Sequence, residues 1–401
     1  MGTNSSYSHI VVGGGALGTA SAYWLAKSGV RDVLVLEQFE LGNDRGASED
    51  HSRIIRHSYH SADYTALTPA AYDTWAELEG ETGLQLVVRT GGLDFATLGT
   101  PGIDELENYR GSLRARGIPW EDLTAAEVRS RFPQWRIDDD VVAMYQEDTG
   151  LLDVRRACAA HVARARELGV AFREHTPVTA LHSAADHVTV TAGDERFTAE
   201  HVIVCVASWL ERLAPSLGLD WKLTLSEEQV TYFATPHVRQ FTPDRFPVWI
   251  WHGDDILYGF PIYGEVAVKL ARDMRGAWTT LEERTYEADP AEEQLLLGFL
   301  QRRLPAAVGP ALASRTCVYD MPPDRDFILD LVPRHPRIVL GIGAGHAAKF
   351  ASLIGRILSD LATDGSTGYP IAPFAIDRPA LTDPSFTPTF RLHGDDVAPA
   401  R

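Results

Sequence analysis

Three glycines near the start of the chain have the spacing of a dinucleotide-binding turn. Gly13, Gly15 and Gly18 follow the apolar run at 9–12. The sequence separation between Gly18 and Glu37 is close to the separation of about 20 residues that is typical of this fingerprint. The first glycine makes a tight turn, the second lets the backbone approach a pyrophosphate, and the third lets a helix pack closely. A carboxylate at Glu37 accepts hydrogen bonds from ribose hydroxyls, which argues against a 2′-phosphate. The pattern predicts a bound adenosine dinucleotide, with a chance glycine turn as the alternative.

A cluster of basic residues follows this turn. Arg53 and Arg56 lie close together, beside His51, His57 and His60. For the histidines, a solvated or helix-capping cluster is the favoured interpretation, and no metal site is expected because they lack carboxylates at metal-ligand spacing. For the arginines we favour binding of an anionic cofactor or a substrate carboxylate, because a guanidinium binds planar anions with two parallel hydrogen bonds.

Two lysines and three cysteines are the remaining candidates for chemistry. Lys269 lies in the apolar run at 266–271, so its amine either reaches solvent or points into a cleft, and the pattern does not decide between them. Lys349 begins the last predicted helix, where an exposed lysine is the ordinary interpretation. The cysteines are too few and too scattered for a disulfide framework or a zinc site, and by default each is a buried thiol; they are Cys158, Cys205 and Cys317.

The elements that must position these residues alternate between helices and strands. The start of the chain reads as strand, glycine turn, helix and strand, which is a βαβ unit. The run at 201–206 is apolar throughout, as in a strand covered on both faces. Thr124 and Glu127 have the spacing of a capping box that begins a helix. Further helices are predicted at 69–83, 103–116, 154–168, 290–303 and 347–361, and further strands within 171–206, 221–275 and 338–345.

Dinucleotide-type strands occur near both ends of the chain, and antiparallel-looking strands fall between them. We therefore predict an α/β fold with an α+β second domain, in which a Rossmann-type domain is intertwined with an antiparallel-sheet domain. The tail after Tyr369 is rich in proline and is expected to wrap the surface or fray.

Composition excludes several classes of partner. The 401 residues are 45% hydrophobic and 23% charged and carry a net charge of −18, so a basic face for nucleic acid or an anionic membrane is not expected. The start of the chain lacks the basic and apolar segments of a signal peptide, and the longest apolar stretch is about half a membrane span. With so few cysteines, this pattern predicts a cytoplasmic protein.

Several short segments together resemble one enzyme family. In chain order they lie at 11–18, 53–57, 176–178, 258–261 with Lys269, 316–319, 323–330 and 345–350. They resemble the monomeric sarcosine oxidase and N-methyltryptophan oxidase family of FAD-dependent amine oxidases, within the D-amino-acid-oxidase-like class. The resemblance implies a Rossmann-type FAD-binding domain and a substrate domain. The first would comprise 1–85, 145–220 and 315–401, and the second 86–144 and 221–314.

The resemblance also implies roles for individual residues. FAD would be joined through a thioether to Cys317. Arg56 and Lys349 would hold the substrate carboxylate, since a guanidinium and an ammonium fix it in one orientation. Arg53 would lie against the opposite flavin face. Lys269 would promote the reaction with oxygen, because a cation stabilises developing negative charge.

Further positions follow from the same resemblance. Tyr258 would belong to the catalytic group, Val178 would contact adenine, and the loop at 343–346 would line the flavin. The expected cofactor-binding residues are Gly13, Gly15, Gly18, Glu37, Ser48, Arg53, Val178, Cys317, Gly343, Gly345, His346 and Lys349.

Two positions depart from the family pattern. Glu49 and Asp273 stand where sarcosine oxidases carry histidine, and Trp249 and Trp251 are expected near the site. We expect Asp273 to pair with the substrate amine or accept its proton, and Glu49 and Trp251 to contact the substrate. Because an acid suits a protonated amine and a large aromatic wall suits a ring, the substrate is expected to be a cyclic or N-substituted amino acid rather than sarcosine.

The resemblance implies a flavin-dependent oxidase of a secondary-amine or cyclic amino acid. Hydride would pass from the carbon beside a neutral amine to FAD N5 and leave an imine, and oxygen would reoxidise FAD with release of hydrogen peroxide. The expected partners are a small amino acid and O2, and the expected assembly is a monomer or small homo-oligomer. The alternatives are a dehydrogenase of the same fold with another electron acceptor, a nicotinamide dehydrogenase, and a nucleotide-binding protein without turnover.

Overall fold

The computed structural model describes residues 5–274 and 277–390. Within these ranges the strands are β1 (Ser5–Val12), β2 (Val33–Leu36), β3 (Arg53–Ile55), β4 (Val87–Arg89), β5 (Gly92–Thr97), β6 (Glu121–Thr124), β7 (Val141–Gln146), β8 (Gly150–Leu152), β9 (Ala171–Arg173), β10 (Ala180–Ser183), β11 (Val188–Ala192), β12 (Glu195–Val204), β13 (Thr224–Ala234), β14 (Val248–His252), β15 (Ile256–Phe260), β16 (Ala267–Asp273), β17 (Ala277–Thr279), β18 (Ala311–Met321), β19 (Ile328–Val332) and β20 (His335–Ile342). The α-helices there are α1 (Ala16–Lys27), α2 (Ala62–Thr82), α3 (Gly102–Arg116), α4 (Ala125–Arg131), α5 (Val154–Glu167), α6 (Leu210–Leu217), α7 (Pro290–Arg303), α8 (Ala351–Asp364) and α9 (Pro379–Thr382).

The first sheet has the parallel core of a dinucleotide-binding domain. Its strands run in the order β10-β11-β12-β1-β2-β9, with β20 beside β12 and β19 beside β20. β1 pairs in parallel with β2 and β12, and β12 pairs in parallel with β20, so the carboxyl ends of these strands meet at one edge. Val11 and Val35 face α1, α5 and α8, whereas Val12 and Leu36 face β10, β11 and α6. Burial on both faces explains why these runs are apolar throughout.

The second sheet is mainly antiparallel. Its strands run in the order β17-β13-β16-β15-β14-β5-β7-β6, with β18 beside β13, and β14 and β5 are parallel neighbours. One face packs on α4 and α7, where Trp249 stacks on Phe299. The other face contributes Ile250, Tyr258 and Lys269 to a cavity. A small third sheet contains β3, β8 and β4.

The predicted α/β class with two intertwined sheets is confirmed, and most predicted elements are present. The capping box predicted at 124–127 forms both of its hydrogen bonds at the start of α4. α2 begins earlier than predicted, because Ser61 accepts a hydrogen bond from the Asp63 N–H at 3.2 Å and Pro69 lies inside the helix. The last predicted helix begins with a 3-10 turn at Ala347–Phe350 before α8.

Two predicted domain boundaries fall inside strands of the second sheet. The boundary at 144/145 lies in β7 and the boundary at 314/315 lies in β18, and the domain division itself stays a prediction. The tail packs on the body at Phe374 and Ile376, which are buried, whereas most residues at 382–389 are exposed. The part of the tail at 391–401 lies outside the described residues.

In the described ranges, no helix combines the length and the hydropathy needed to cross a membrane.

Backbone contacts close the glycine turn. Gly13 has φ +104°, and a Cβ there would overlap the Cys205 carbonyl oxygen. A Cβ at Gly18 would overlap the carbonyl oxygen of Gly13. Because both neighbours are backbone atoms, no change of rotamer relieves the overlap. β1, β12 and α1 therefore meet at this turn because these positions are glycine.

We predict opposite effects for alanine at two glycines. Gly18→Ala should lower the free energy of unfolding by about 1–3 kcal/mol, because the new methyl group overlaps backbone. Gly111→Ala is the matched control, since this glycine is inside α3 with open space around it, and alanine should raise the free energy of unfolding by about 0.4–1 kcal/mol. Thermal unfolding of the purified variants measures both. A Gly18→Ala protein with the unfolding midpoint of the wild type would contradict the packing argument.

Candidate active site

A cavity of about 1140 Å³ brings most of the sequence-predicted site residues together. Its wall runs from Gly15, at the amino end of α1, to Tyr258 and Lys269 in the second sheet. The predicted residues on this wall are Gly15, Ser48, Glu49, Arg53, Arg56, Tyr258, Lys269, Asp273, Cys317, Gly343, Gly345, His346 and Lys349. The predicted residues that do not line it are Gly13, Gly18, Glu37, Val178 and Trp251.

The glycine turn and the amino end of α1 form the first part of the site. Glu37 is buried and accepts a hydrogen bond from the Gly14 N–H at 2.6 Å. Ser48 accepts a hydrogen bond from the Ala16 N–H at 2.9 Å. A Cβ at Gly15 would lie 3.0 Å from Ser48 Oγ, so glycine keeps this space open. Backbone N–H groups at a helix start attract phosphate, and the residues present therefore fit a dinucleotide pyrophosphate.

The segment that carries Val178 is tied to the same end of the first sheet. The Thr176 N–H donates to the Glu37 carbonyl at 2.7 Å. Val178 packs against the apolar core that contains Val12 and Leu36. Val178 and Glu37 are thus close in the fold, although neither lines the cavity.

The loop that carries Gly345 is fixed from β18 and from the turn after it. Gly345 has φ +76°, and its N–H donates to Asp320 Oδ1 at 3.0 Å. Burial raises the pKa of the Asp320 carboxyl to about 7, although the hydrogen bond from Gly345 opposes the change. His346 Nε2 lies 3.0 Å from the Arg325 carbonyl oxygen, and burial lowers the pKa of this imidazole well below its usual value. A neutral His346 can therefore donate to that carbonyl and hold the loop.

Asp50, a buried carboxylate that sequence analysis missed, lies at the centre of a cluster of cations. Lys269 Nζ is 2.5 Å from an oxygen of Asp50, and the guanidinium nitrogens of Arg53 and Arg315 are 3.3 Å and 3.2 Å away. The Tyr232 hydroxyl also donates to it. Burial alone would raise the pKa of the Asp50 carboxyl, but the charges of Lys269 and Arg53 hold it well below its usual range. Asp50 is therefore ionised, and three cations share its charge.

Lys269 points inward, which decides between the two alternatives left open by its sequence. The side chain is 2% exposed, and Nζ donates to the Ser52 carbonyl at 2.7 Å. Nζ also lies 4.5 Å from the centroid of the Phe260 ring. Burial lowers the pKa of the Lys269 amine to about 8, and the charge of Asp50 opposes this change. Asp50 therefore keeps the amine charged at neutral pH.

Arg53 fixes the loop before it. Its guanidinium donates to the backbone carbonyls of Ala47, Glu49 and Ser52 at 3.0 Å, 2.7 Å and 2.9 Å. The carboxylate of Glu49 forms an ion pair with Arg155 of α5. Glu49 thus lies on the cavity wall with a cationic partner, and a ligand amine would have to compete with that partner.

Arg56 and Lys349 stand beside one aromatic ring, that of Tyr59. The guanidinium carbon of Arg56 is 5.1 Å from the Tyr59 ring centroid and 4.9 Å from that of Tyr109. Lys349 Nζ is 5.3 Å from the Tyr59 centroid, and within the described ranges the structure gives it no hydrogen bond or ion pair. Burial, together with the smaller effect of the Arg56 charge, lowers the pKa of the Lys349 amine to about 7. An anion near Tyr59 would meet both cations.

Asp94 of β5 holds Arg56 in place. Arg56 Nη1 donates to Asp94 Oδ1 at 3.0 Å, and the Ser58 hydroxyl donates to Oδ2 at 3.1 Å. His252 Nε2 lies 3.2 Å from Oδ1. Sequence analysis missed Asp94, Tyr59 and Tyr109, which belong to no motif. The available signal for Asp94 was an acid inside an otherwise apolar strand, the same signal that drew attention to Lys269.

Asp273 reaches the cavity wall, as expected, but its carboxylate already has a partner. Both of its oxygens lie 3.0 Å from Arg325 Nη2, and the Tyr319 hydroxyl donates to Oδ1 at 3.3 Å. Sequence analysis also missed Arg325. In this structure Asp273 is one half of an ion pair and is not a free acid for a substrate amine.

The expected aromatic wall is corrected by the structure. Trp249 and Trp251 of β14 are buried in the core that also contains Trp135 and Phe299. Their neighbour Ile250 lines the cavity instead. Side chains alternate between the two faces of a strand, and the sequence alone did not reveal which face of β14 is turned to the cavity.

Cys317 lines the cavity, and the three cysteines are unpaired. Burial raises the pKa of the Cys317 thiol to about 11, and the charge of Arg53 opposes the change. Cys158 and Cys205 are buried thiols with pKa values raised by burial to about 12. In the part of the chain that the structure describes, no group of three or more His, Cys, Asp or Glu side chains could hold a metal ion.

Comparison with known proteins gives the family. The model of the family described as FAD dependent oxidoreductase matches residues 8–361. The chain is 33% identical over 381 residues to monomeric sarcosine oxidase of Streptomyces avermitilis, and the aligned region covers 92% of this chain and 97% of that protein. It is 29% identical over 378 residues to N-methyl-L-tryptophan oxidase of Citrobacter koseri, with 93% and 99% of the two chains covered.

A solved structure with a similar fold is NikD, described as an unusual amino acid oxidase essential for nikkomycin biosynthesis. It superposes with a TM-score of 0.83 at 29% identity, over 93% of this chain and 98% of NikD.

The geometry around Tyr59 predicts a pH-dependent affinity for carboxylates. Lys349 is charged below its pKa of about 7, so the affinity for acetate should be highest below pH 7 and fall as the pH rises through that value. In Lys349→Met the dissociation constant should rise and lose this pH dependence, since losing one partner of a buried charge pair costs about 2–5 kcal/mol. Calorimetric titration measures both effects, with Lys222→Met, an exposed lysine, as the control. An unchanged pH profile in Lys349→Met would exclude this lysine.

Proposed function

Because the chain belongs to the family of FAD-dependent oxidoreductases, we propose that it oxidises the C–N bond of a secondary-amine or cyclic amino acid, with oxygen as the electron acceptor. The observation that carries this proposal is the pair of cations, Arg56 and Lys349, in the same cavity as Lys269 and Cys317. Two relatives bear the names of oxidases for sarcosine and N-methyl-L-tryptophan, which are both N-methylated amino acids, and this supports a secondary amine as the substrate.

The residues present fit FAD along the length of the cavity. We assign the pyrophosphate to the glycine turn and the adenosine to Glu37 and Val178. When bound, FAD would accept a hydride from the substrate carbon and pass the two electrons to oxygen. Ser48 would border the phosphates, and the other proposed flavin contacts are Arg53, Gly343, Gly345, His346 and Lys349.

Arg56 and Lys349 would orient the substrate. Asp94 and Tyr109 occupy two nitrogens of Arg56 at 3.0 Å and 3.2 Å, so the guanidinium is fixed before a ligand arrives. A cation fixed in advance costs little entropy when the ligand binds, and a carboxylate held at both ends presents the neighbouring C–N bond in one direction. Lys349 would supply the second contact.

The charges around the substrate would favour a neutral amine. Arg56, Lys349 and Arg325 line this part of the cavity, while the acids beside them, Asp94 and Asp273, already accept hydrogen bonds from the two arginines. An acid that is already paired with a guanidinium stabilises a bound ammonium less than a free carboxylate would, so it raises the pKa of the amine less. We therefore propose that the pairing of Asp94 and Asp273 with arginines lets the bound amine lose its proton, without a separate carboxylate base. This revises the role that the sequence suggested for Asp273.

The three unpaired cysteines agree with a reducing compartment, and we propose a cytoplasmic location.

The test of the proposed oxidation is an anaerobic panel of secondary-amine and cyclic amino acids, each scored by loss of the visible flavin absorbance. Readmission of air should restore the absorbance and release one hydrogen peroxide for each substrate consumed. Bleaching without peroxide in air would favour a dehydrogenase. A purified protein without flavin colour would favour a nucleotide-binding protein without turnover.

We predict that Lys269 serves the reaction with oxygen. A buried cation stabilises negative charge that develops on oxygen, because low dielectric strengthens the interaction. In Lys269→Met, reduction by substrate should survive while reoxidation by air slows by about two orders of magnitude or more. Stopped-flow measurement of the two half-reactions separates them, with Lys222→Met as the control. Slow reduction with normal reoxidation would reverse the assignment.

We also predict that Cys317 carries FAD covalently through a thioether. Its thiol lines the cavity, whereas the helix cysteine Cys158 does not, so Cys158 provides the matched control. Acid-precipitated protein should stay yellow, and its intact mass should exceed that of the polypeptide by one FAD. Cys317→Ser should release its flavin on precipitation, and Cys158→Ser should retain it. A colourless wild-type pellet would exclude the linkage and leave the oxidase proposal standing.

A further inference from the structure

The cavity presents buried polar atoms that have no partner in the described part of the protein. Three of these belong to residues that line its wall: Tyr59 Oη, His252 Nδ1 and Arg325 Nε. A buried donor without an acceptor costs about 1–3 kcal/mol, so such atoms in a native fold call for an explanation. A ligand with acceptor atoms, around which these side chains adjust, would satisfy the Tyr59 hydroxyl and the Arg325 guanidinium.

Two of these atoms belong to different parts of the wall. The Tyr59 ring centroid lies 5.1 Å from the guanidinium carbon of Arg56 and 5.3 Å from Lys349 Nζ, so a carboxylate bound by these two cations would lie beside this ring. Arg325 lies in the turn between β18 and β19, beside Asp273 and the loop of His346. The proposed position beside Tyr59 would be occupied by the α-carboxylate of an amino acid. With that group bound, the guanidinium of Arg325 would still have no partner on the ligand.

The backbone holds Arg325 at this place. Its φ is +61°, a conformation that side-chain-bearing residues rarely adopt. Its N–H donates to the Pro322 carbonyl at 2.9 Å, and its own carbonyl lies 3.0 Å from His346 Nε2. The side chain is 25% exposed, with Nη2 bound by Asp273. The guanidinium is therefore presented to the cavity by a turn that is held from both sides.

The balance of charge determines how a second acid group would have to bind. Arg56 has an acid partner in Asp94 at 3.0 Å, and Arg325 has one in Asp273 at 3.0 Å. Lys349 has no acid partner among the described residues. One carboxylate near Lys349 would neutralise this part of the cavity. A second carboxylate would therefore bind by displacing Asp273 from Arg325 or by sharing Arg325 with it.

We infer that the preferred substrate carries a second carboxylate, bound by Arg325, in addition to the α-carboxylate bound by Arg56 and Lys349. This inference rests on the proposed oxidation of an amino acid at this site. It names the substrate class as N-substituted or cyclic amino acids whose substituent ends in an acid group. The donor for that group is Arg325 Nη1, because Asp273 binds Nη2 and Nε is buried.

Two thioethers test the inference without turnover, because sulfur replaces the amine. (Methylthio)acetate has one carboxylate, and thiodiacetate has a carboxylate on both arms. Binding to the holoenzyme is measured by the change in the visible flavin spectrum. The dissociation constant of thiodiacetate should be at least about tenfold lower than that of (methylthio)acetate, because its second carboxylate gains charge-assisted hydrogen bonds from Arg325.

Substitution of the ion pair should move this ratio in opposite directions. Arg325→Gln should remove the preference for thiodiacetate while the dissociation constant of (methylthio)acetate stays within about twofold of wild type, and Arg325→Lys should keep part of the preference. Asp273→Asn frees the guanidinium, so it should increase the preference. A merely structural role for the pair would make both substitutions weaken both ligands alike. Lys222→Gln is the control.

Each outcome has one meaning. If thiodiacetate binds no more tightly than (methylthio)acetate, or if Arg325→Gln weakens both equally, the second carboxylate is excluded and the proposed function stands. If neither thioether binds while the flavin is present, the proposed amino-acid oxidation itself fails. If the ratio falls in Arg325→Gln and rises in Asp273→Asn, the dicarboxylate substrate class is supported.

Discussion

The carboxylate of Asp50 is buried where the second sheet meets the loop before β3, and it forms ion pairs with three cations there. A charge that is removed from water must be paired, or the fold loses several kcal/mol. Lys269 therefore depends on Asp50 at 2.5 Å, and Arg53 and Arg315 depend on the same carboxylate. Arg53 in turn fixes the loop by binding three carbonyls. Without Asp50, the cations would repel one another and the loop would lose its anchor, so one ion organises both Lys269 and the loop that Arg53 holds.

The same rule separates the supporting residues from those available to a ligand. Asp94 forms an ion pair with Arg56, and Asp273 forms one with Arg325, so both guanidiniums are held in fixed positions. Lys349 has no such acid in the described structure, and Tyr59 Oη has no acceptor. Unsatisfied groups of this kind are costly in a folded protein. Both residues line the same cavity, on the wall to which we assign the substrate.

Local features of this molecule were predictable from sequence, and long-range ones were not. The glycine turn and the capping box at 124–127 depend on residues that are close in sequence, and both are present. The supporting acids depend on partners far along the chain, as Asp50 does on Lys269. Trp251 was assigned to the site because strand periodicity shows that neighbours face opposite sides but not which side is the cavity. Family resemblance brought Arg56 and Lys349 together, whereas Arg325 required the coordinates.

A protein with a net negative charge can still have a cavity lined by cations, because some of its buried acids form ion pairs that fix those cations in place. The net charge of −18 describes the surface seen by distant ions, which is screened within about 10 Å at ordinary ionic strength. A bound substrate instead meets the local sum of a few buried charges, where screening is weak. That sum is set by how many cations have an acid partner, and not by how many cations line the wall. Moving one acid, such as Asp273, would therefore change the charge of the ligand that fits without altering Arg56 or Lys349, to which we assign the α-carboxylate.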